Sequence, residues 1–470
     1  MSLPYGLDAW FPLTIGELQD PIVLGGPGPL DEELLQTAWR SCKRGQALVV
    51  VDAIQGSLKQ GLLARFGKRS LTASLERAWS KEGQAHRWLV LPSTGGSHVL
   101  LPADGKGFRA GVCLLPAGRR LWRAARRLLQ VAASFGCANR FGFSGLLVAI
   151  KGEVNTGPAC AWLAKRPGSR VAISLGVPGF LRKATLRICD PLGRAEGFLK
   201  VALGPGASPR VAHEASTLER FESLHWGAEH APRLLDSGCH AAHAWMVQSP
   251  VAGSRSTDVL TPAHVCFLEA LAKRTGSRVM GAELPTLMRS REHLDALAQR
   301  VDGPWIESMT RLHAALSNAL GSREVPCALA HGDFTPWNLA VQGDRLAAFD
   351  WEFANWQSPI LSDLIHFHLQ TGILVRRVGA KELLAELEAL LASEASGLLS
   401  QHGLCAADGI AFIALEVLRA ATDDEALNHQ EHPGFEQVDW LRDTRQELAE
   451  LLLPRLTRTQ TPLRKEVLAA

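Results

Sequence analysis

The 470-residue sequence contains no C-x-x-C pair, and its nine cysteines are an odd number scattered singly from Cys42 to Cys405. Neither a disulfide framework nor a zinc site is expected from such spacing, and reduced thiols in a cytosol are the economical expectation. No apolar run is long enough to span a bilayer. The start, MSLPYGLDAWFPL, lacks the basic segment and continuous apolar stretch of a signal peptide. A cytoplasmic protein with no integral membrane segment is therefore expected. Net charge is also low, +3 from 50 Lys and Arg against 47 Asp and Glu, so no nucleic-acid partner is expected. The nearest approach to a G-x-x-x-x-G-K-[ST] phosphate loop, Gly61 to Lys68, has one residue too many and Arg69 in place of Ser or Thr. Internal repeats and low-complexity segments are lacking.

What is there is ordinary globular sequence, 46% hydrophobic and 21% charged, too long for one core. Up to Glu153 the pattern alternates short strands and amphipathic helices: helical over Asp31 to Cys42 and Leu71 to Trp79, strand-like over Ala47 to Ala53, Arg87 to Pro92 and Leu146 to Ile150. Gly25, Gly26 and Gly28, interleaved with Pro27 and Pro29, read as a turn. Leu121 to Ala133 reads as a helix with Arg123, Arg126 and Arg127 on a solvated face. Residues 154–168, rich in Gly, Pro and small residues, read as a linker. Arg170 to Val201 follows as a β-meander with turns at Gly176–Gly179 and Asp190–Gly193. Then come a helix over Arg210 to Leu224 and a strand over Ala244 to Gln248, and from Thr261 mostly helix around a β-rich patch at 327–353. The expected division is a small α/β domain at 1–153, a β lobe at 169–248 and a helical lobe at 249–470.

The densest chemical signal is Ala330-His331-Gly332-Asp333-Phe334-Thr335-Pro336-Trp337-Asn338, followed by Phe349-Asp350-Trp351-Glu352 at the end of an apolar strand. Phosphoryl transfer asks a protein for little covalent chemistry; it needs an acceptor hydroxyl held in line and metal ions that neutralise the phosphates. Asp333 can accept the hydroxyl proton, Asn338 can offer an amide oxygen to Mg²⁺ from the same loop, and Asp350 supplies the anionic metal ligand. A capping aspartate and a turn asparagine in an ordinary hairpin would explain any one of these, but not the ordered set.

H-x-D-x-x-x-x-N followed by an aspartate at a strand end resembles the catalytic loop and metal segment of the aminoglycoside phosphotransferase and choline kinase-like family. His331-Gly332-Asp333 and Asn338 resemble the aminoglycoside form, and Asp350-Trp351-Glu352-Phe353-Ala354 the choline kinase form. The resemblance implies an α+β, bilobal protein kinase-like fold, ATP and Mg²⁺ as cofactors, a small-molecule hydroxyl substrate, and His331, Asp333 and Asn338 as catalytic-loop residues. It also implies that Asp363 braces the loop. A kinase-like reading demands a strand lysine and a helix glutamate upstream, and Lys200 in Gly197–Ala202 and Glu214 in the following helix answer it, with Glu219 the fallback. Gly176 and Gly179 fall where the family folds a hairpin over the nucleotide phosphates. Trp245 to Gly253, including Gln248 and Val251, resembles the hinge that hydrogen-bonds adenine, with Pro250 removing one donor. No A-P-E segment is present, which disfavours protein substrates.

The N-terminal region faintly resembles the second half of a class I methyltransferase, without the glycine-rich turn that holds S-adenosylmethionine, so a structural remnant or a module docking a protein partner is expected rather than an active methyltransferase. His366 and His368 read as satisfied core or groove histidines rather than metal ligands, and Asp423-Asp424-Glu425 as either substrate-binding acids or an exposed loop. A nucleotide-binding pseudoenzyme is the alternative to an active phosphotransferase.

Overall fold

The computed structural model describes residues 10–11, 13, 19–26, 31–44, 46–52, 71–92, 97–103, 108, 111–114, 144–152, 169–190, 192–227, 229–240, 242–301, 303–430 and 439–458. They fall into two compact units, one of 1–215 with 234–250, the other of 216–233 with 251–470.

The first unit is built on a ten-stranded sheet. Strand β1 (Gln19–Gly26) lies parallel to β2 (Gln46–Asp52), with helix α1 (Glu32–Ser41) in the connection. Asp31 starts α1 by accepting the Glu33 N–H at 2.9 Å, and acids in the first turn with Arg40 in the last complement its dipole. In β2, successive residues point to opposite faces, and both faces are covered. Leu48 and Val50 pack with Leu35, Trp39 and Trp79, whereas Ala47 and Val49 pack with Trp10, Phe11 and Trp88. Trp79, from helix α2 (Leu71–Trp79), stacks on Trp39 with centroids 5.0 Å apart. The run of Gly25 and Gly26 continues β1 rather than turning: Gly25 pairs with Val51, and a Cβ there would lie 2.8 Å from the Val51 carbonyl oxygen.

From β2 the sheet continues antiparallel through β5 (Ser144–Lys151), β3 (Gly83–Pro92) and β4 (His98–Pro102). β4 then pairs with β6 (Arg170–Leu175), from His98 against Leu175 to Leu100 against Ile173. The sheet therefore crosses the expected boundary between 1–153 and 169–248, because the backbone groups on the edge of β4 find partners in the meander. The expected linker and the expected helix at Leu121 to Ala133 lie outside the described residues. The meander is β6, β7 (Lys183–Cys189) and β8 (Ala195–Ala202), followed in space by β10 (His243–Gln248) and β9 (Leu234–His240). The β7–β8 turn closes on Asp190, whose Oδ1 accepts the N–H groups of Leu192 and Arg194 at 2.9 and 2.8 Å.

Helix α3 (Ala207–Ser223) runs from the first unit into the second. The second unit is mostly helical: α4 (Pro262–Thr275), α5 (Pro285–Leu297), α6 (Pro304–Leu320), α7 (Ser362–Gln370), α8 (Ala380–Ala392), α9 (Ser396–Gln401), α10 (Ala406–Gln430) and α11 (Asp439–Arg458). Proline at the first helical position of α4, α5 and α6 suits their starts. Two small antiparallel sheets interrupt the helices: β11 (Ser254–Arg255), β14 (Leu339–Gln342) and β15 (Arg345–Ala348); and β12 (Ser277–Met280), β13 (Glu324–Ala330) and β16 (Asn355–Pro359). The fold is α+β, a sheet-bearing unit with a helical unit, in keeping with the kinase-like expectation. Among the described residues no helix is long and apolar enough to cross a membrane.

Candidate active site

Strand β13 delivers the chain, buried, into the loop that begins at His331. The turn demands glycine at 332, where φ is +82° and a Cβ would run into the Phe353 carbonyl oxygen. His331 has no solvent exposure, and its ring spans the loop. Nδ1 accepts the Asp333 N–H at 3.2 Å, and Nε2 donates to the Phe349 carbonyl at 3.0 Å, which assigns the neutral tautomer with hydrogen on Nε2. His331 thus shapes the loop and hands it to the strand end that carries Asp350. From the first turn of α7, Asp363 grips the same turn: Oδ2 accepts the His331 N–H at 2.6 Å and Oδ1 the Gly332 N–H at 3.0 Å. Burial pushes the Asp363 carboxyl up, against the lowering effect of these two N–H groups and of the His366 charge.

Asp333 is the partly exposed member, its side chain 33% accessible. Asn338 Nδ2 donates to Asp333 Oδ2 at 2.8 Å and to its carbonyl at 3.0 Å. With its nitrogen committed, the Asn338 amide leaves its oxygen as the group for a further partner. Phe349 N–H donates to the Asn338 carbonyl at 3.0 Å, tying the loop to the end of β15. Next in the chain, Asp350 adopts a left-handed backbone (φ 73°, ψ 54°), a conformation aspartate tolerates better than most side chains. The segment is pinned by Trp351, fully buried, whose Nε1 donates to the Ala348 carbonyl at 2.8 Å and whose ring meets Phe221 edge-on. The donors that Asn338 and Asp350 offer are hard oxygens. No group of three or more His, Cys, Asp or Glu side chains with metal-binding geometry occurs among the described residues. That set fits Mg²⁺, which takes few protein oxygens and completes its shell with water and phosphate, and does not fit zinc.

In the first unit, Lys200 lies on β8 between β7 and β10, opposite Thr185 and Met246. Its Nζ meets both oxygens of Glu214 at 2.5 and 2.7 Å, with side chains only 5% and 1% exposed. Glu214 on α3, not Glu219, is the partner. A buried ion pair recovers its desolvation cost only with close geometry, and such pairs gather at functional sites. Gly176 and Gly179 sit in the β6–β7 hairpin, with the Gly176 N–H bonded to the Lys183 carbonyl at 2.9 Å. Gln248 closes β10, is buried, and its Oε1 has no hydrogen-bond partner among the described residues. Val251 follows on the other side of the division between units.

The second unit also holds a pocket lined by Gly332, Asp363, His366, Glu416, Arg419 and Asp423 among others. The sequence suggests a satisfied core or groove histidine at His366. It is satisfied, but its Nε2 lies 3.4 Å from Asp333 Oδ1. Glu416 and Arg419 were missed altogether. The one signal for them is an i, i+3 acid–base pair on a helix, which thousands of surface helices share. Asp423 and its neighbours lie inside α10 rather than on a loop: Asp423 pairs with Arg419 and His293, and Asp424 with Arg445. His368 pairs with Glu386 at 3.0 Å, as a groove histidine would.

Residues 193–399 match the family model described as the phosphotransferase enzyme family. The match takes in Lys200, Glu214, the His331–Asn338 loop, Asp350 and Asp363. Solved structures similar to this chain include a thermostable mutant of an aminoglycoside phosphotransferase in ternary complex with ADP and hygromycin B, 14% identical over 63% of this chain and 97% of that one, with a TM-score of 0.43. A choline/ethanolamine kinase family protein from Mesorhizobium loti is 17% identical over 60% and 90%, with a TM-score of 0.40. An ADP-bound aminoglycoside phosphotransferase is 13% identical over 62% and 97%, with a TM-score of 0.37. Among curated proteins no sequence matches the chain.

Proposed function

We propose that the protein is an ATP- and Mg²⁺-dependent phosphotransferase that moves the γ-phosphoryl group to a hydroxyl of a small, sugar-like molecule. The observation that carries this reading is the pinning of Asp333 by Asn338 at 2.8 Å, inside a loop that Asp363 braces through two backbone N–H groups.

Asp333 acts as the base. Its carboxylate takes the hydroxyl proton as the acceptor oxygen bonds to phosphorus, while the bond from phosphorus to the leaving oxygen breaks and its electron pair stays on ADP. Asn338 and Asp350 would hold Mg²⁺ through their oxygens. Bound there, the ion would neutralise phosphate charge. Lys200, oriented by Glu214, presents its ammonium to the α- and β-phosphates, and backbone groups near Gln248 and Val251 take the adenine. The Gly176–Gly179 hairpin lies over the phosphates.

The choice of acceptor rests on the pocket's charge. Its acids are already matched from within: Glu416 by His366 and Arg419, Asp423 by Arg419 and His293, Asp363 by backbone N–H groups. Among the described residues that line it, no surplus carboxylate remains to draw in a polycation such as an aminoglycoside. In the segment after Asp350 neither tryptophan offers a choline-like cation an open aromatic face, since Trp351 is fully buried and Trp356 is covered by the Arg220 guanidinium 3.5 Å from its centroid. A neutral polyhydroxyl acceptor suits such a pocket best. The test is Mg²⁺-dependent ATP consumption with monosaccharides, amino alcohols and aminoglycosides side by side. Turnover confined to the sugars supports the reading; turnover on aminoglycosides alone contradicts the acceptor class.

A further inference from the structure

His366 stands on α7 with its side chain 5% exposed, between two carboxylates. Nε2 faces Asp333 Oδ1 at 3.4 Å, and Nδ1 faces Glu416 Oε1 at 2.7 Å. Glu416, buried on α10, also accepts from Arg419, Nη2 to Oε1 at 2.5 Å and Nε to Oε2 at 2.9 Å. Arg419 reaches on to Asp423 Oδ2 at 3.2 Å, and His293 Nδ1 meets Asp423 Oδ1 at 3.2 Å. Charges therefore alternate along a line from Asp333 through His366, Glu416 and Arg419 to Asp423, each flanked by its opposite.

The hydrogens on the imidazole follow from its neighbours. An ionised carboxylate only accepts, so each ring nitrogen facing one carries a proton, and the ring is the imidazolium. Arg419 Nη2 lies 2.9 Å from Nδ1 because both donate to the same Glu416 oxygen. Burial alone would push the His366 pKa down, but its hydrogen bonds to Asp333 and Glu416 and the Glu416 charge outweigh that and the opposing Arg419 charge, and hold it at about 9.

We propose that His366, anchored by Glu416 and Arg419, is a positioning residue for Asp333, fixing one carboxylate oxygen while Asn338 fixes the other. The proposal rests on the reading of Asp333 as the base. A carboxylate held at both oxygens cannot swing about its last torsion, so the lone pair that meets the acceptor hydroxyl keeps one direction. Groups that hold a reactive side chain from behind typically change rates 10- to 100-fold.

The experiment has two readouts on the full chain. Proton–carbon NMR of histidine-labelled protein, with His366 assigned from His366→Gln, follows its titration in wild type, Asp333→Asn and Glu416→Gln. A midpoint well above that of a free histidine, falling by about one unit or more in Asp333→Asn, is expected. A midpoint unmoved by Asp333→Asn overturns the contact, whatever the enzyme does. The second readout is turnover of Mg²⁺-ATP with the sugar panel, or with water where no sugar serves. His366→Leu should lower kcat about 10- to 100-fold with the KM for ATP unchanged, and His366→Gln, which keeps a donor, should regain part of it. In an Asp333→Ala background His366→Leu should cost nothing more; an equal further loss overturns the role. Wild type with no turnover but an intact Asp333-dependent titration would overturn the base assignment, and the role with it, while leaving the contact standing. Should His366→Leu fail to fold, His366→Gln and Glu416→Gln carry both readouts.

Discussion

Asn338 gives its amide nitrogen to Asp333, at 2.8 Å to Oδ2 and 3.0 Å to the main-chain oxygen, so only its oxygen is left to face a metal. Orientation of the base and binding of Mg²⁺ are thereby joined in one side chain. Asn338→Ala should lower kcat and raise the Mg²⁺ concentration for half-maximal turnover, by about tenfold or more. A magnesium titration of initial rates checks it. Asn338→Asp, which keeps an oxygen but sets a second carboxylate beside Asp333, should not restore the rate.

Lys200 and Glu214 form a buried pair whose two halves differ from their sum. Removing Glu214 alone strands an ammonium out of water, at a cost of about 3–5 kcal/mol. Glu214→Ala should therefore lower the unfolding midpoint as well as ATP affinity. The double change Lys200→Met with Glu214→Leu should fold nearly as well as wild type, yet bind ATP poorly. Thermal unfolding and calorimetric ATP titration separate the two effects.

Gly332 holds a positive φ and lies against the Phe353 carbonyl, so alanine there is strained and collides with backbone. Gly332→Ala should cost about 1–3 kcal/mol in a denaturant titration and more in activity, because the strain falls between His331 and Asp333. A variant with wild-type stability and rate would contradict the geometry of the turn.

Two buried histidines set opposite limits on stability with pH. The folded pKa of His366, about 9, lies above its unfolded value of 6.5. Its contribution is thus complete below about pH 6.5 and lost as pH rises to about 9. His264 is held by burial at about 4, below its unfolded 6.5, against the raising effect of a backbone hydrogen bond with Thr261. It is neutral in the fold and favours unfolding as pH drops from about 6.5 towards 4. Unfolding midpoints across this range should fall on both sides, the alkaline limb flattening in His366→Gln and the acid limb in His264→Gln.

The site was legible in the sequence where its logic is local. The H-x-D-x-x-x-x-N spacing places Asp333 and Asn338 on one loop, and the order strand lysine then helix glutamate brings Lys200 to Glu214. Helix α1 showed itself through its amphipathic spacing, and β2 through its apolar run. What stayed hidden depends on distant partners. Glu416 lies fifty positions from His366, and nothing in either segment announces the other. The pairing of β4 with β6 depends on an edge that only the assembled sheet exposes. Asp423, Asp424 and Glu425 look like a loop in isolation, since three adjacent acids suit solvent. Arg419, His293 and Arg445 are what let them sit in a helix.

The most direct test of phosphotransfer is phosphorus NMR of the protein incubated with ATP, Mg²⁺ and a mixture of neutral sugars, beside Asp333→Ala. The predicted result is the appearance of a phosphomonoester signal in step with ADP in wild type and neither product with Asp333→Ala. A phosphomonoester formed at the wild-type rate by Asp333→Ala, or ATP left intact and unbound by wild type, would contradict it.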